Sequence, residues 1–305
     1  MSKDLLRGVR NFDSLAQSRD NGEAMSLGIA FKGPEGIVLA ADSRVTLTGQ
    51  LLVPPVAPNA PQTMLLPSTY DNATKLLQVR AQTHVGAVTY GAGAIGTTEP
   101  RTAHSYIPEF EEKLLEENPG RLSVQNFAER LSRFFMDKWD AAGMPSIPGQ
   151  DMVFLIGGYD KGQPYGRVFE VFIPSRTDPH EWHAGPGQFG LVWGGQKEYA
   201  DRIITGFDGN LPEMVKNHLN LTDQQRDDLH QHLQGRLQAP VPFAFLPLQD
   251  CVDLAIFIIR TTILMQHWIV GLRGVGGAID VATITPTDGF VAVQRKRITG
   301  EETSK

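Results

Sequence analysis

Cysteine occurs once in the 305 residues, at Cys251. That excludes an internal disulfide and fits a reducing compartment, with the cytoplasm expected. Cys251 falls in an apolar helical pattern, so a buried structural thiol is expected rather than a nucleophile. Basic residues are not in excess: 28 Lys and Arg stand against 34 Asp and Glu, a formal charge of −6. With no long basic run, neither a nucleic acid nor an anionic membrane is expected as a partner. Residues 1–24 hold no apolar core of secretory type. The one stretch apolar enough to consider as a membrane span, 253–272, is interrupted by Arg260, Gln266 and His267. Charge at bilayer depth is costly, so a helix packed on a sheet is the better reading.

Metal and cofactor signals are equally thin. His230 and His232 lie near Asp227 and Asp228 in a polar stretch that reads as a solvated helical face. His180 and His183 flank Trp182 on a strand and point to opposite faces. Gly91–Gly96 fits the pattern G-x-G-x-x-G, but a dinucleotide site needs a helix directly after it. The next residues are instead Thr97-Thr98-Glu99-Pro100. No metal and no cofactor are assigned.

What is present is an ordinary globular composition, 41% hydrophobic and 20% charged, on a chain long enough for a sizeable core. Residues 1–25 read as an extension or propeptide and 26–305 as one domain. Strand patterns at 26–32 and 36–42 flank Gly33-Pro34-Glu35, a hairpin signature. The stretch 51–67 holds five prolines and is expected to be loop rather than sheet. Strands are expected at 76–79 and 85–90. Helical spacing comes next at 108–115 and 123–139, the second with Ser123 as N-cap. Strands at 152–159, 168–173 and 181–184, a helix at 198–206 and a polar, helix-containing stretch at 208–247 come after these. A long apolar helix at 249–271 and a closing hairpin, 279–285 with 290–294 around Asp288-Gly289, complete the chain. Strands, two helices, strands, two helices and strands favour layered α+β over alternating βαβ.

Several segments carry a resemblance. The run from Ile29 to Thr46, IAFKGPEGIVLAADSRVT, resembles the opening hairpin of proteasome β subunits, which belong to the N-terminal-nucleophile hydrolases. Laid on that pattern, Ser26 takes the place of the N-terminal threonine nucleophile, Asp42 that of the invariant aspartate, and Arg44 the arginine beyond it. Asn72-Ala73-Thr74-Lys75 resembles the strand that supplies the family's lysine, and Tyr90-Gly91 the turn that supplies its oxyanion-binding N–H. Gly276–Thr285 with Asp288-Gly289 resembles the closing hairpin. The likeness covers most of 26–294, with extra residues at 51–70 and 208–242, and extends to the divergent bacterial ancestral β-subunit family.

The resemblance implies a four-layer αββα sandwich of two antiparallel sheets and a threonine/serine-type endopeptidase acting on peptides or unfolded proteins. It also implies a homo-oligomeric ring with an ATPase unfoldase as partner. In this reading Ser26, Asp42, Lys75, Arg44 and Gly91 form the catalytic set. A serine hydroxyl needs a base, and a free α-amine on Ser26, with an unperturbed pKa of about 7.7–8.0, would serve. Lys75 would lower that pKa, Asp42 would orient Lys75, and the Gly91 N–H would meet the oxyanion.

The chain also departs from the pattern. Met25 stands where family precursors carry glycine. If residues 1–25 stay attached, the amine is an amide and that base is lost. Leu272 and Val275 replace a supporting aspartate and serine, and 194–196 lack a second serine. A shifted register that puts Ala24 at the nucleophile position would give a non-catalytic structural subunit. It requires two extra residues in the hairpin.

Overall fold

The computed structural model of the chain describes residues 26–52, 63–96, 99–270 and 273–300. The expected extension 1–25 lies outside these residues. The fold is mixed α/β with antiparallel sheets and, among the described residues, six α-helices. One five-stranded sheet has the order β10-β1-β2-β11-β12, built from β1 Leu27–Lys32, β2 Ile37–Asp42, β10 Gly190–Gly195, β11 Ile279–Thr285 and β12 Gly289–Gln294. A second has the order β5-β6-β7-β8-β9: β5 Leu76–Gln78, β6 Val85–Gly91, β7 Met152–Gly158, β8 Arg167–Ile173 and β9 Arg176–Trp182. The helices are α1 Ile107–Glu117, α2 Val124–Ala141, α3 Glu198–Ile204, α4 Leu211–Leu219, α5 Asp223–Leu237 and α6 Leu248–Trp268.

Period-two alternation along the strands sorts apolar side chains into separate clusters. Leu27, Ile29 and Phe31 of β1, with Val38 and Ala40 of β2, meet Cys251, Ala255, Ile258 and Ile259 of α6. Their neighbours Ala30, Ile37, Leu39 and Ala41 instead meet Val88, Val153 and Leu155 of the second sheet. Phe154 and Ile156 turn the opposite way, towards Phe110 of α1 and Phe127, Leu131 and Phe135 of α2. Ser123 caps α2 by accepting a hydrogen bond from the Asn126 N–H. The Cys251 thiol is fully buried, and burial pushes its pKa up to about 12, a structural and unreactive setting. Among the described residues no helix is long and apolar enough to cross a membrane.

Three sequence expectations need correction. The proline-rich stretch is not all loop: β3 Val45–Leu52 and β4 Thr63–Tyr70 pair antiparallel as a two-stranded sheet. The strand expected at 181–184 is β9, which starts earlier, at Arg176. And β10 was not expected from the sequence at all. Gly190, Gly194 and Gly195 dilute its strand signal, yet each is glycine for a reason of space. A Cβ on Gly194 would lie 2.1 Å from the Tyr90 hydroxyl, and one on Gly195 2.0 Å from the Ser26 carbonyl oxygen.

Phe135 is fully buried, and its ring meets Tyr106, Phe134 and Phe154 at centroid distances of 6.1, 5.3 and 4.6 Å. Phe135→Ala is expected to lower stability by about 3–5 kcal/mol in urea denaturation. A loss below about 1 kcal/mol would show that this cluster does not hold α2 on the sheet.

Candidate functional site

At the start of β1 the two sheets present a buried polar group amid apolar packing. Ser26 is 3% exposed, Lys75 5% and Asp42 fully buried. The Lys75 Nζ donates to the Ser26 Oγ at 2.7 Å and to Asp42 Oδ1 at 2.6 Å. Asp42 ends β2 and accepts three backbone hydrogen bonds besides. Leu27 N–H reaches Oδ1, and the N–H groups of Arg44 and Gly276 reach Oδ2, each at 3.0 Å. A carboxylate so surrounded is held rigid. Burial drives the Lys75 pKa below its ordinary value, and Asp42 opposes that shift without cancelling it. An amine whose charged form burial disfavours therefore sits on a serine hydroxyl.

Lys75 lies immediately before β5, and its carbonyl accepts the N–H of Thr89 on β6 at 3.0 Å. The Ala92 N–H points the other way, to the Asp151 carbonyl at 2.9 Å. Strand alternation then places the Gly91 N–H on the Lys75 side, where β5 has not yet begun. Gly91 has φ +85°, and a Cβ there would lie 2.1 Å from the Asp151 carbonyl oxygen. Only glycine fits this position. Ser26, Lys75, Thr89 and Gly91 line one cleft. The Thr89 Oγ1 is buried there with no hydrogen-bond partner among the described residues.

Ser26 has φ 132°, which non-glycine residues rarely adopt. Its carbonyl accepts the Gln196 N–H at 2.8 Å, which fixes the backbone next to the hydroxyl. Tyr90 crosses between the sheets into the space left by Gly28 and Gly194, and its hydroxyl donates to buried Glu170 at 2.7 Å. Arg176 and Trp182 donate to the same carboxylate at 2.9 and 3.1 Å.

The structure thus brings Ser26, Asp42, Lys75 and Gly91 together, and gives the Arg44 side chain another place. Its guanidinium clasps Asp71 through Nε and Nη2 at 2.5 and 2.8 Å, and donates to the Arg273 carbonyl at 3.0 Å. The Ser43 hydroxyl donates to the Asp71 carbonyl at 2.7 Å. Only the Arg44 backbone N–H touches Asp42. The guanidinium locks the turn after β2 to the segment leading to Lys75, and holds the Asp71 carboxyl below its usual range.

Sequence reasoning also missed an amide relay. Val275 N–H donates to Gln266 Oε1 at 2.9 Å, and Gln266 Nε2 donates to Gln196 Oε1. Gln266 is 1% exposed. Its polarity inside an apolar helix was the available signal, since a buried amide needs partners. The relay stands where a supporting serine and aspartate were sought; Leu272 lies outside the described residues. The G-x-G-x-x-G stretch ends in an isolated bridge between Ile95 and Arg101, and α1 begins only at Ile107.

No family model matches the chain, and no curated protein matches it. Among solved structures the chain is similar to one titled as the Anbu (Gly-1) mutant from Hyphomicrobium sp. strain MC1, at 15% identity. The match covers 91% of this chain and 88% of that one, with a TM-score of 0.49. These findings correct the expected assignment to the proteasome β-subunit type. No model of that family answers, and the solved structure carries a different name. The site stands on its own geometry.

Asp42→Ala would leave the Lys75 ammonium buried without a counter-charge, and is expected to cost about 3–5 kcal/mol of stability. The double variant Asp42→Ala/Lys75→Met removes the stranded charge and should recover part of that loss in urea denaturation. A double variant no more stable than Asp42→Ala alone would refute the pairing.

Proposed function

We propose that the chain is a serine hydrolase of amide bonds, with peptides as substrate and Ser26 Oγ as nucleophile. The observation that carries this reading is the Lys75 Nζ shared between Ser26 Oγ and Asp42 Oδ1, at 2.7 and 2.6 Å. In the attack step Lys75, in its neutral form, takes the Oγ proton as the Oγ–carbon bond forms at the substrate carbonyl. Asp42 steadies the resulting ammonium. In this reading the Gly91 N–H meets the oxygen that gains negative charge, a role worth roughly 3–4 kcal/mol in comparable sites. Collapse of the tetrahedral intermediate passes the proton from Lys75 to the departing amine and leaves an acyl ester on Ser26. Water then hydrolyses the ester with the same base.

We further propose that 26–305 works as one domain and that 1–25 are removed to expose Ser26. A free α-amine beside Oγ adds a second base to the site. The three apolar clusters support a helix–sheet–sheet–helix order. In that order the cleft opens at one end of the inter-sheet layer.

Ser26→Ala is expected to abolish hydrolysis of a fluorogenic peptide library while leaving the thermal unfolding midpoint within a few degrees. Lys75→Ala and Asp42→Asn should each lower kcat by orders of magnitude, with strongly non-additive effects because they dismantle one charge-coupled unit. A double variant that loses the product of the two single factors would show that the residues act separately. Full activity in Ser26→Ala would remove Ser26 from the chemistry.

A further inference from the structure

A second lysine reaches the segment that carries Lys75. Two residues beyond the end of β12, Lys296 turns inward. Its Nζ donates to the Ala73 carbonyl at 2.9 Å and to Asp280 Oδ2 at 2.6 Å, while its backbone N–H donates to Asp280 Oδ1 at 2.9 Å. Asp280 is 3% exposed and pairs with Ala41 across β11 and β2, one residue before Asp42. One buried carboxylate therefore grips Lys296 at both ends, and the ammonium is fixed against the backbone two residues before Lys75. None of this is needed to close the sheet, because the β11–β12 ladder ends at Gln294.

We propose that Lys296 is a positioning residue of the Ser26–Lys75 site. It pins the backbone that carries Lys75 and, as a second fixed cation, sets the pH above which Lys75 can receive the serine proton. The inference rests on the reading of Ser26 and Lys75 given above. The charges that act on Lys75 come from several elements: Asp42 from β2, Arg44 and Asp71 from the turns beside it, and Lys296 from the chain after β12. Lys296 and Arg44 both oppose the protonated form of Lys75, and Asp42 favours it. Around Lys296 itself stand Asp280, Arg295 and His104.

These charges set the direction of each perturbation. The reactive form has Lys75 neutral, so reactivity of Ser26 rises with pH through the Lys75 titration. Lys296→Gln removes a repelling cation and leaves the Asp280 carboxylate unneutralised. Both changes favour the Lys75 ammonium, so the rising limb moves to higher pH. Asp280→Asn does the reverse: Lys296 keeps its charge without a counter-ion, and the limb moves to lower pH. Each shift is expected to be about one pH unit. Lys296→Arg keeps the charge and should hold the limb near its wild-type position.

The test is the rate of Ser26 sulfonylation by phenylmethanesulfonyl fluoride against pH, read by the mass of the Ser26-containing peptide from the full chain. Opposite shifts in Lys296→Gln and Asp280→Asn, with Lys296→Arg unshifted, are the expected result. A limb that stays in place in Lys296→Gln, or moves the same way in both neutralised variants, overturns the proposal. A merely structural role would lower the rate in each without moving the limb. Should one variant not fold, the direction of the other decides. Labelling of Ser26 at no pH in the wild type would overturn the reading of the site itself, and the role of Lys296 with it.

Discussion

A lysine ammonium and an aspartate carboxylate, both removed from water, meet at 2.6 Å at the end of β2. Much of the local structure depends on that contact. Desolvating two charges costs several kcal/mol per ion, and their attraction offsets this only if the remaining hydrogen-bonding capacity is filled. Asp42 fills its own capacity with the N–H groups of Leu27, Arg44 and Gly276. Those three donors belong to the start of β1, the turn after β2 and the approach to β11. One carboxylate thus ties together three chain segments far apart in sequence. The Arg44–Asp71 clasp and the Lys296–Asp280 pair brace the same region from either side.

Such an arrangement is a poor way to gain stability, since well-packed apolar residues would often do as well or better. Its use lies in the state of Lys75. Burial pulls the Lys75 pKa down, while Asp42 stabilises the charged form when a proton arrives. A group balanced in this way can accept and return a proton within one reaction cycle. Ser26 is held through its backbone, by the Gln196 N–H and the glycine-lined path of β10. The polar cluster and the fold are thus coupled: the sheets set the distances at which Ser26, Lys75 and Asp42 meet.

Where the sequence was legible, local patterns carried the information. The β1–β2 hairpin, the cap at Ser123 and the closing hairpin come from turn chemistry and period-two alternation within a few residues. Ser26, Asp42, Lys75 and Gly91 lie in motif segments that stay recognisable one at a time, and the structure brings the four together. The illegible parts depend on distant partners. Arg44 entered the expected set because it falls on the arginine of the proteasome pattern, and the sequence did not show that its guanidinium pairs with Asp71, 27 residues away in sequence. The Gln196–Gln266 relay, spanning 70 residues, and the Lys296–Ala73 contact, spanning 223, have no local signature. Strand β10 was obscured because its glycines answer to Tyr90 and Ser26 rather than to strand propensity. At the two ends of 51–67 the prolines obscured parts of two strands that pair with each other.

The central claim is that Lys75 is the proton acceptor for Ser26, and its titration tests that most directly. Carbon-13 label at the lysine Cε, followed by NMR against pH, resolves the Lys75 signal by its loss in Lys75→Met. The account predicts a Lys75 midpoint clearly below 10.5, the ordinary value for lysine, with the Asp42→Asn variant lower still because the charge that favours the ammonium is gone. A Lys75 midpoint at or above 10.5 would contradict the account, because an ammonium held that firmly cannot take the serine proton near neutral pH.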